Sequence, residues 1–188
     1  SMLTINNTFM GKVSSYDSSK ISIFNTTIRD GEVNVHDSSV VSMTQVTMTG
    51  AIMPPKVLVY SDSKITIVNS KILDVSSVCA YDSSEITIVG STLRDFAILG
   101  HCLASVSDSK LTGLSHISDF SSVSFSKSQL ELLQMYDSSS VSIFNSSIRI
   151  LGCYDSSNAS ILNSSITLLR PSDSSVVAVS GSTIEEVL

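Results

Sequence analysis

One phrase, aliphatic-x-aliphatic-x-(Asn or a stand-in)-x-x-aliphatic, runs ten times through this chain. Anchored on its fifth position, the copies fall at Asn7, Asn25, Gln45, Asn69, Gly90, Asp108, Lys127, Asn145, Asn163 and Gly181, in steps of 18, 20, 24, 21, 18, 19, 18, 18 and 18 residues. A period of this length in a β-rich sequence marks a solenoid, whose repeats cannot bury an apolar face alone and must stack on their neighbours. The repeat runs through all 188 residues, so the chain reads as one domain, 1–188.

Aligning the copies assigns each position a place. The pairs Ile21/Ile23, Ile65/Ile67, Val141/Ile143 and their equivalents alternate with small polar residues such as Ser22, Thr66 and Ser142. That is the period-2 pattern of a strand with one buried face. A second inward column follows the bend (Ile28, Met48, Ile72, Leu93, Leu111, Leu130, Ile148, Ile166, Ile184), and a third segment carries Val33/Val35, Val57/Val59, Phe96/Ile98 and Leu133/Met135. Three inward segments per turn predict a coil of about ten rungs, 18–24 residues each, paired in parallel around a narrow apolar core. A left-handed hexapeptide coil does not fit, because its six-residue rule, started at Ile143, would bury Arg149 and Asp155.

The anchoring column needs residues tolerant of a left-handed φ, which is why Gly90 and Gly181 can replace Asn. Stacked amides also hydrogen-bond from rung to rung. In this the chain resembles the right-handed parallel β-helix proteins of the pectin-lyase-like group, which carry Asn ladders at a turn between two sheets. The resemblance implies an all-β, single-domain right-handed parallel β-helix with a structural ladder of Asn7, Asn25, Asn69, Asn145 and Asn163, amides inward. A compact coil like the bactofilins, whose rungs are similarly short, is the neighbouring possibility.

Eleven Lys and Arg against seventeen Asp and Glu give a net charge of -6 and a pI near 4.8. That argues against nucleic acid and against docking on anionic membranes. No apolar run approaches the ~18 residues of a membrane span. The low charge content and abundant Ser suit an extracellular or cell-surface β-protein. Cys79, Cys102 and Cys153 are too scattered for a disulfide framework or a zinc knuckle, and read as single thiols. Of five sequons, those at Asn25, Asn145 and Asn163 belong to the ladder, leaving Asn6 and Asn158 as acceptors.

Strand parity puts Tyr16, Tyr60, Tyr81, Tyr136 and Tyr154 outside, beside Leu58, Cys79 and Ala97. Exposed aromatics can stack on sugar rings or on a protein. The outward Ser/Thr row resembles the hydroxyl arrays of ice-binding coils, though with Ser where those carry Thr. The Tyr-Asp-Ser-Ser phrases are expected to form local Asx- and Ser-turns. Calcium is the alternative, because Asp119, Asp137, Asp155 and Asp173 would stack about 5 Å apart. Otherwise no cofactor and no metal site is expected; His36, His101 and His116 sit in different columns and read as surface residues. Surplus residues (30–32, 49–56, 74–77) gather on one edge with Arg29 and Arg94, a candidate binding face. Asp74 and Asp95 occupy matching positions there and would suit a pair of glycosidase acids. The paired-Asp, Gly-His-Gly and Arg-Ile-Lys motifs of pectin-degrading enzymes are not recognisable.

The chain is therefore read as a non-catalytic module of a surface or secreted protein, a rigid spacer with an adhesin-like face for polysaccharide or protein. The alternatives are a β-helical polysaccharide lyase or hydrolase and a self-assembling, bactofilin-like scaffold. Beginning at Leu3-Thr4-Ile5 and stopping just after Ile184, it is expected to be a fragment of a longer protein or to self-associate, end to end or laterally.

Overall fold

Aliphatic pairs separated by one polar residue form strands because alternate side chains then share one dry face. The computed structural model describes residues 1–50 and 56–188, with side chains at all of these but 74–76. Among them there are strands and turns and no helix, so none is long and apolar enough to cross a membrane. The chain is a parallel β-solenoid of about ten turns.

The first sheet has ten strands, one per rung: Met2–Asn6, Lys20–Phe24, Val40–Thr44, Lys64–Val68, Glu85–Val89, Leu103–Ser107, Ser122–Ser126, Ser140–Phe144, Asn158–Leu162 and Val176–Ser180. Their register is continuous, so Ile23 faces Met43, then Ile67, Ile88, Val106 and Phe125 up the stack. These side chains are at most 1% exposed. Each such burial contributes about 1.5–3 kcal/mol, summed over nearest-neighbour interfaces.

All ten anchoring residues have φ between 44° and 58°, Gln45, Asp108 and Lys127 included. The bend is thus a left-handed residue at every rung, whatever its side chain. After it the chain enters the second sheet, of thirteen strands. Three separate inward segments per rung hold only at the start, where Thr27–Arg29 and Glu32–Val35 are distinct strands. From Lys71–Ala80 onward the second and third segments fuse into one strand per rung, as in Gln129–Met135 and Ser147–Cys153. Register shifts in this sheet, between Ile72 and Ser77, Leu93 and Phe96, and Leu111 and Leu114, absorb the surplus residues as bulges. Of the expected insertions, 51–55 lie outside the described residues.

Candidate functional site

The polar columns set the chemistry available on the surface, and the first of them is inside. From Thr26 to Ser164 the residue after the anchor is buried, and from Ser70 onward it is Ser. The Ser91 N–H donates to Ser109 Oγ (3.1 Å), Ser109 N–H to Ser128 Oγ (3.3 Å), Ser128 N–H to Ser146 Oγ (3.1 Å) and Ser146 N–H to Ser164 Oγ (3.1 Å). Each hydroxyl in turn donates to the carbonyl two residues back, as Ser128 does to Ser126 O at 2.9 Å. This serine ladder, rather than an inward amide ladder, stitches the bend. The Asn column is exposed, with Asn25 Nδ2 donating to Asn7 Oδ1 at 2.6 Å, so Asn69, Asn145 and Asn163 carry their amides outward, contrary to expectation. The sequons at Asn25, Asn145 and Asn163 consequently do not point into the fold.

The Tyr-Asp-Ser-Ser turns carry a local Ser bond, as Ser84 Oγ donates to Tyr81 O at 2.9 Å, and their Asp residues also bond between rungs. Asp119 Oδ2 accepts the Gly100 N–H (2.8 Å), Asp137 that of Asp119 (3.4 Å), Asp155 that of Asp137 (3.3 Å) and Asp173 that of Asp155 (3.5 Å). Ser118 and Ser172 hydroxyls add donors to Asp119 and Asp173. Backbone dipoles and hydroxyls thereby offset the stacked like charges. Among the described residues no group of three or more His, Cys, Asp or Glu side chains is placed to hold a metal ion.

The tyrosines form a third ladder. Tyr16, His36, Tyr60 and Tyr81 stack face to face with ring centroids 4.9, 4.6 and 5.0 Å apart and interplanar angles of 5–10°. His116, two residues before the Ser118 that fills the tyrosine position, stacks on Tyr136 at 4.9 Å, and Tyr136 on Tyr154 at 4.9 Å. Leu99 holds the intervening rung. His101 stacks on Phe120 at the adjacent turn tip. All three histidines are ladder members rather than isolated surface residues. His36, Tyr60 and Tyr136 have a ring on both faces, whereas Tyr16 and Phe120, at the ends of their runs, stay largely exposed. Burial pushes the Tyr81 phenol up to about 12, with Cys79 contributing, and raises Tyr60 and Tyr136 as well. Cys79 sits beside Tyr81 and is only 7% exposed despite its outward parity. Burial likewise raises Cys102 and holds the Cys153 thiol near 12, so neither is a ready nucleophile.

The backbone register does not set the two loop-edge acids opposite one another. The register sets Asp95 opposite Ser77, and Asp74 falls in the bulge between Ile72 and Ser77, where its side chain lies outside the described residues. Asp95 Oδ1 accepts the Leu114 N–H at 2.9 Å, closing the bulge of the following rung. Arg29 and Arg94 each lie against the next residue, Asp30 at 3.6 Å and Asp95 at 3.9 Å, in solvated pairs.

Concave surface is found instead at the bend between the sheets in the C-terminal half, a site without a sequence signal because it arises from backbone curvature. One cleft of about 400 Å³ is lined by Lys110, Thr112, Glu131, Arg149 and Thr167. It adjoins another of about 450 Å³ bordered by Lys127, Asn145, Asn163 and Thr183, the two sharing Gln129 and Ser147. Arg149 Nε donates to Glu131 Oε1 across adjacent rungs. The result is an open trough of amides and hydroxyls with a few cations.

No family model, no curated protein and no solved structure matches the chain.

Proposed function

We propose that the chain is a non-catalytic β-solenoid module of a surface or secreted protein, a rigid spacer that holds a polysaccharide or protein against one side. The observation that carries the reading is the set of ladders. Serine hydroxyls, aspartate carboxylates and aromatic faces are each engaged with the rung above or below. Groups committed in this way hold a coil stiff and are poorly placed to change partners during a reaction. Ten rungs at ~4.8 Å make a rod of roughly 45 Å. The polar trough around Gln129 and Ser147 supports the binding half of the reading, since amides and hydroxyls in a row suit an extended hydroxylated chain.

A glycan array run beside a polysaccharide-degradation screen tests this. Retention of a glycan or protein without turnover is the expected result. Turnover that Asp95→Asn abolishes, with circular dichroism unchanged, would replace it with the lyase or hydrolase reading.

A further inference from the structure

The outer face of the first sheet differs from the rest of the surface. Its central column is an unbroken run of Ser and Thr from Thr4 to Ser160, one per rung and in register. Beside that column lie Phe24, Val40, Leu103, Phe144, Leu162 and Val176, each between 37% and 58% exposed. Its charged members are Lys20, Lys64 and Glu85, and its strands from Leu103 to Ser180 carry none. In a chain of net charge -6, a charge-poor strip of hydroxyls edged by exposed apolar side chains is a surface suited to association.

We propose that this face packs against the same face of a second copy, in a two-fold dimer with the rods antiparallel. Area permits it. Ten strands at ~4.8 Å, each five residues at ~3.3 Å, give about 800 Å² per partner, the size of a standard stable interface. The charge-poor half alone would give about half of that, so the whole face is engaged. Columns of small Ser and Thr side chains at rung spacing allow close approach of the two sheets, as in paired cross-β sheets.

Orientation follows from the side chains. A two-fold axis along the strand direction sets the second rung of one copy over the ninth of the other, so Phe24 meets Leu162 and Lys20 meets Asn158. Lys64 then meets Ser122, and no two charges face each other. With the rods parallel, Lys64 and Glu85 would instead lie over Val68 and Val89, and Phe24 would lie over Lys20. The antiparallel form sets Phe24 against Leu162 and Met2 against Val176 and leaves the lysines amide and hydroxyl partners, while Glu85, over Leu103, keeps its ion pair with Lys64 of its own copy. The pairing goes beyond the spacer reading and does not depend on what the trough holds.

The antiparallel form also sets Ser42 of each copy over Ser142 of the other, which supplies the test. Sedimentation equilibrium of the wild-type chain should show a monomer–dimer equilibrium. Ser42→Lys and Ser142→Glu, both at outward positions, should each raise the dimer dissociation constant about tenfold or more. The double variant should restore it, because each interface then contains two opposite-charge pairs. Circular dichroism and the thermal midpoint of the monomer check that the coil is intact in each variant. A wild type that stays monomeric throughout its soluble range overturns the proposal, even if the face binds something else. So does a dimer indifferent to both single substitutions, which would associate by another surface. Weakening by each single variant without recovery in the double rejects the antiparallel arrangement.

Discussion

Single hydroxyls decide how well the interior is satisfied. Ser128 accepts from the Ser109 N–H and donates to Ser126 O. Removing the hydroxyl strands a buried donor, so Ser128→Ala is expected to cost about 1–3 kcal/mol in urea unfolding. Ser128→Thr should retain most of it, since Thr26 already makes the same bond to Phe24 O at 2.7 Å. Ser115 presents the opposite case. It stands in the inward column between Phe96 and Leu133, fully buried, and its Oγ has no hydrogen-bond partner. Ser115→Ala removes an unsatisfied hydroxyl from an apolar core and should stabilise the chain by about 1 kcal/mol in the same measurement. Both serines are invisible as special in the sequence, where Ser occurs inside, outside and at every turn. Only the rung register separates a Ser that bridges two rungs from one that faces water.

Ladders, at the level of the element, couple residues about twenty positions apart into one column, and the aromatic one has a pH dependence. The Tyr81 phenol is held near 12 by burial against an ordinary value of 10, so the fold favours its neutral form. A raised acid contributes fully below pH 10, and its contribution is lost as pH rises from 10 through 12. The urea midpoint should therefore fall over that window, and fall less steeply in Tyr81→Phe. Ultraviolet titration should show a late phenolate component that the same substitution removes; an unchanged titration would mean that Tyr81 is not held neutral. The aliphatic pairs and the left-handed bend were legible in the sequence because each imposes a requirement on every rung, either apolar parity or a tolerated φ. Position in the repeat alone places Lys127 and Gln45 at the bend, and both adopt the left-handed conformation. The candidate site was much less legible. Matching Asp74 to Asp95 assumed equal spacing, but bulges take up residues unequally and bring Ser77 to that place. Parity places the tyrosines outward but does not say that each ring lies flat on the next. His116 joins the ladder from two residues before the tyrosine position of its rung, which the column alignment alone does not reveal.

Over the whole molecule, order comes from repetition, which gives a rule for shortening the rod. From Asn145 to Gly181 the anchors are 18 residues apart, and the strands pair without a register shift. Deleting residues 140–157 joins Ser139 to Asn158 and lays Asn158–Leu162 directly on Ser122–Ser126. Ala159 then follows Val123, Ile161 follows Phe125, Ile166 follows Leu130 and Leu169 follows Leu133, so these four inward columns keep an aliphatic residue or Ala, while Pro171 follows Met135 as it follows Cys153 in the full chain. The serine ladder closes as well, with Ser128 N–H donating to Ser164 Oγ in place of Ser146 Oγ. Nearest-neighbour stacking means that the loss is one rung and one interface, not the fold. The shortened chain should give the same β spectrum and a cooperative but less stable unfolding transition. Solution scattering should show a rod shorter by about 4.8 Å. Deleting 140–148 instead removes half a rung and joins Ser139 to Arg149, so the chain passes from a turn into the middle of the second sheet with no first-sheet strand or bend between. That variant should fail to fold or unfold without cooperativity. If both deletions behaved alike, register between rungs would not be what holds this chain together.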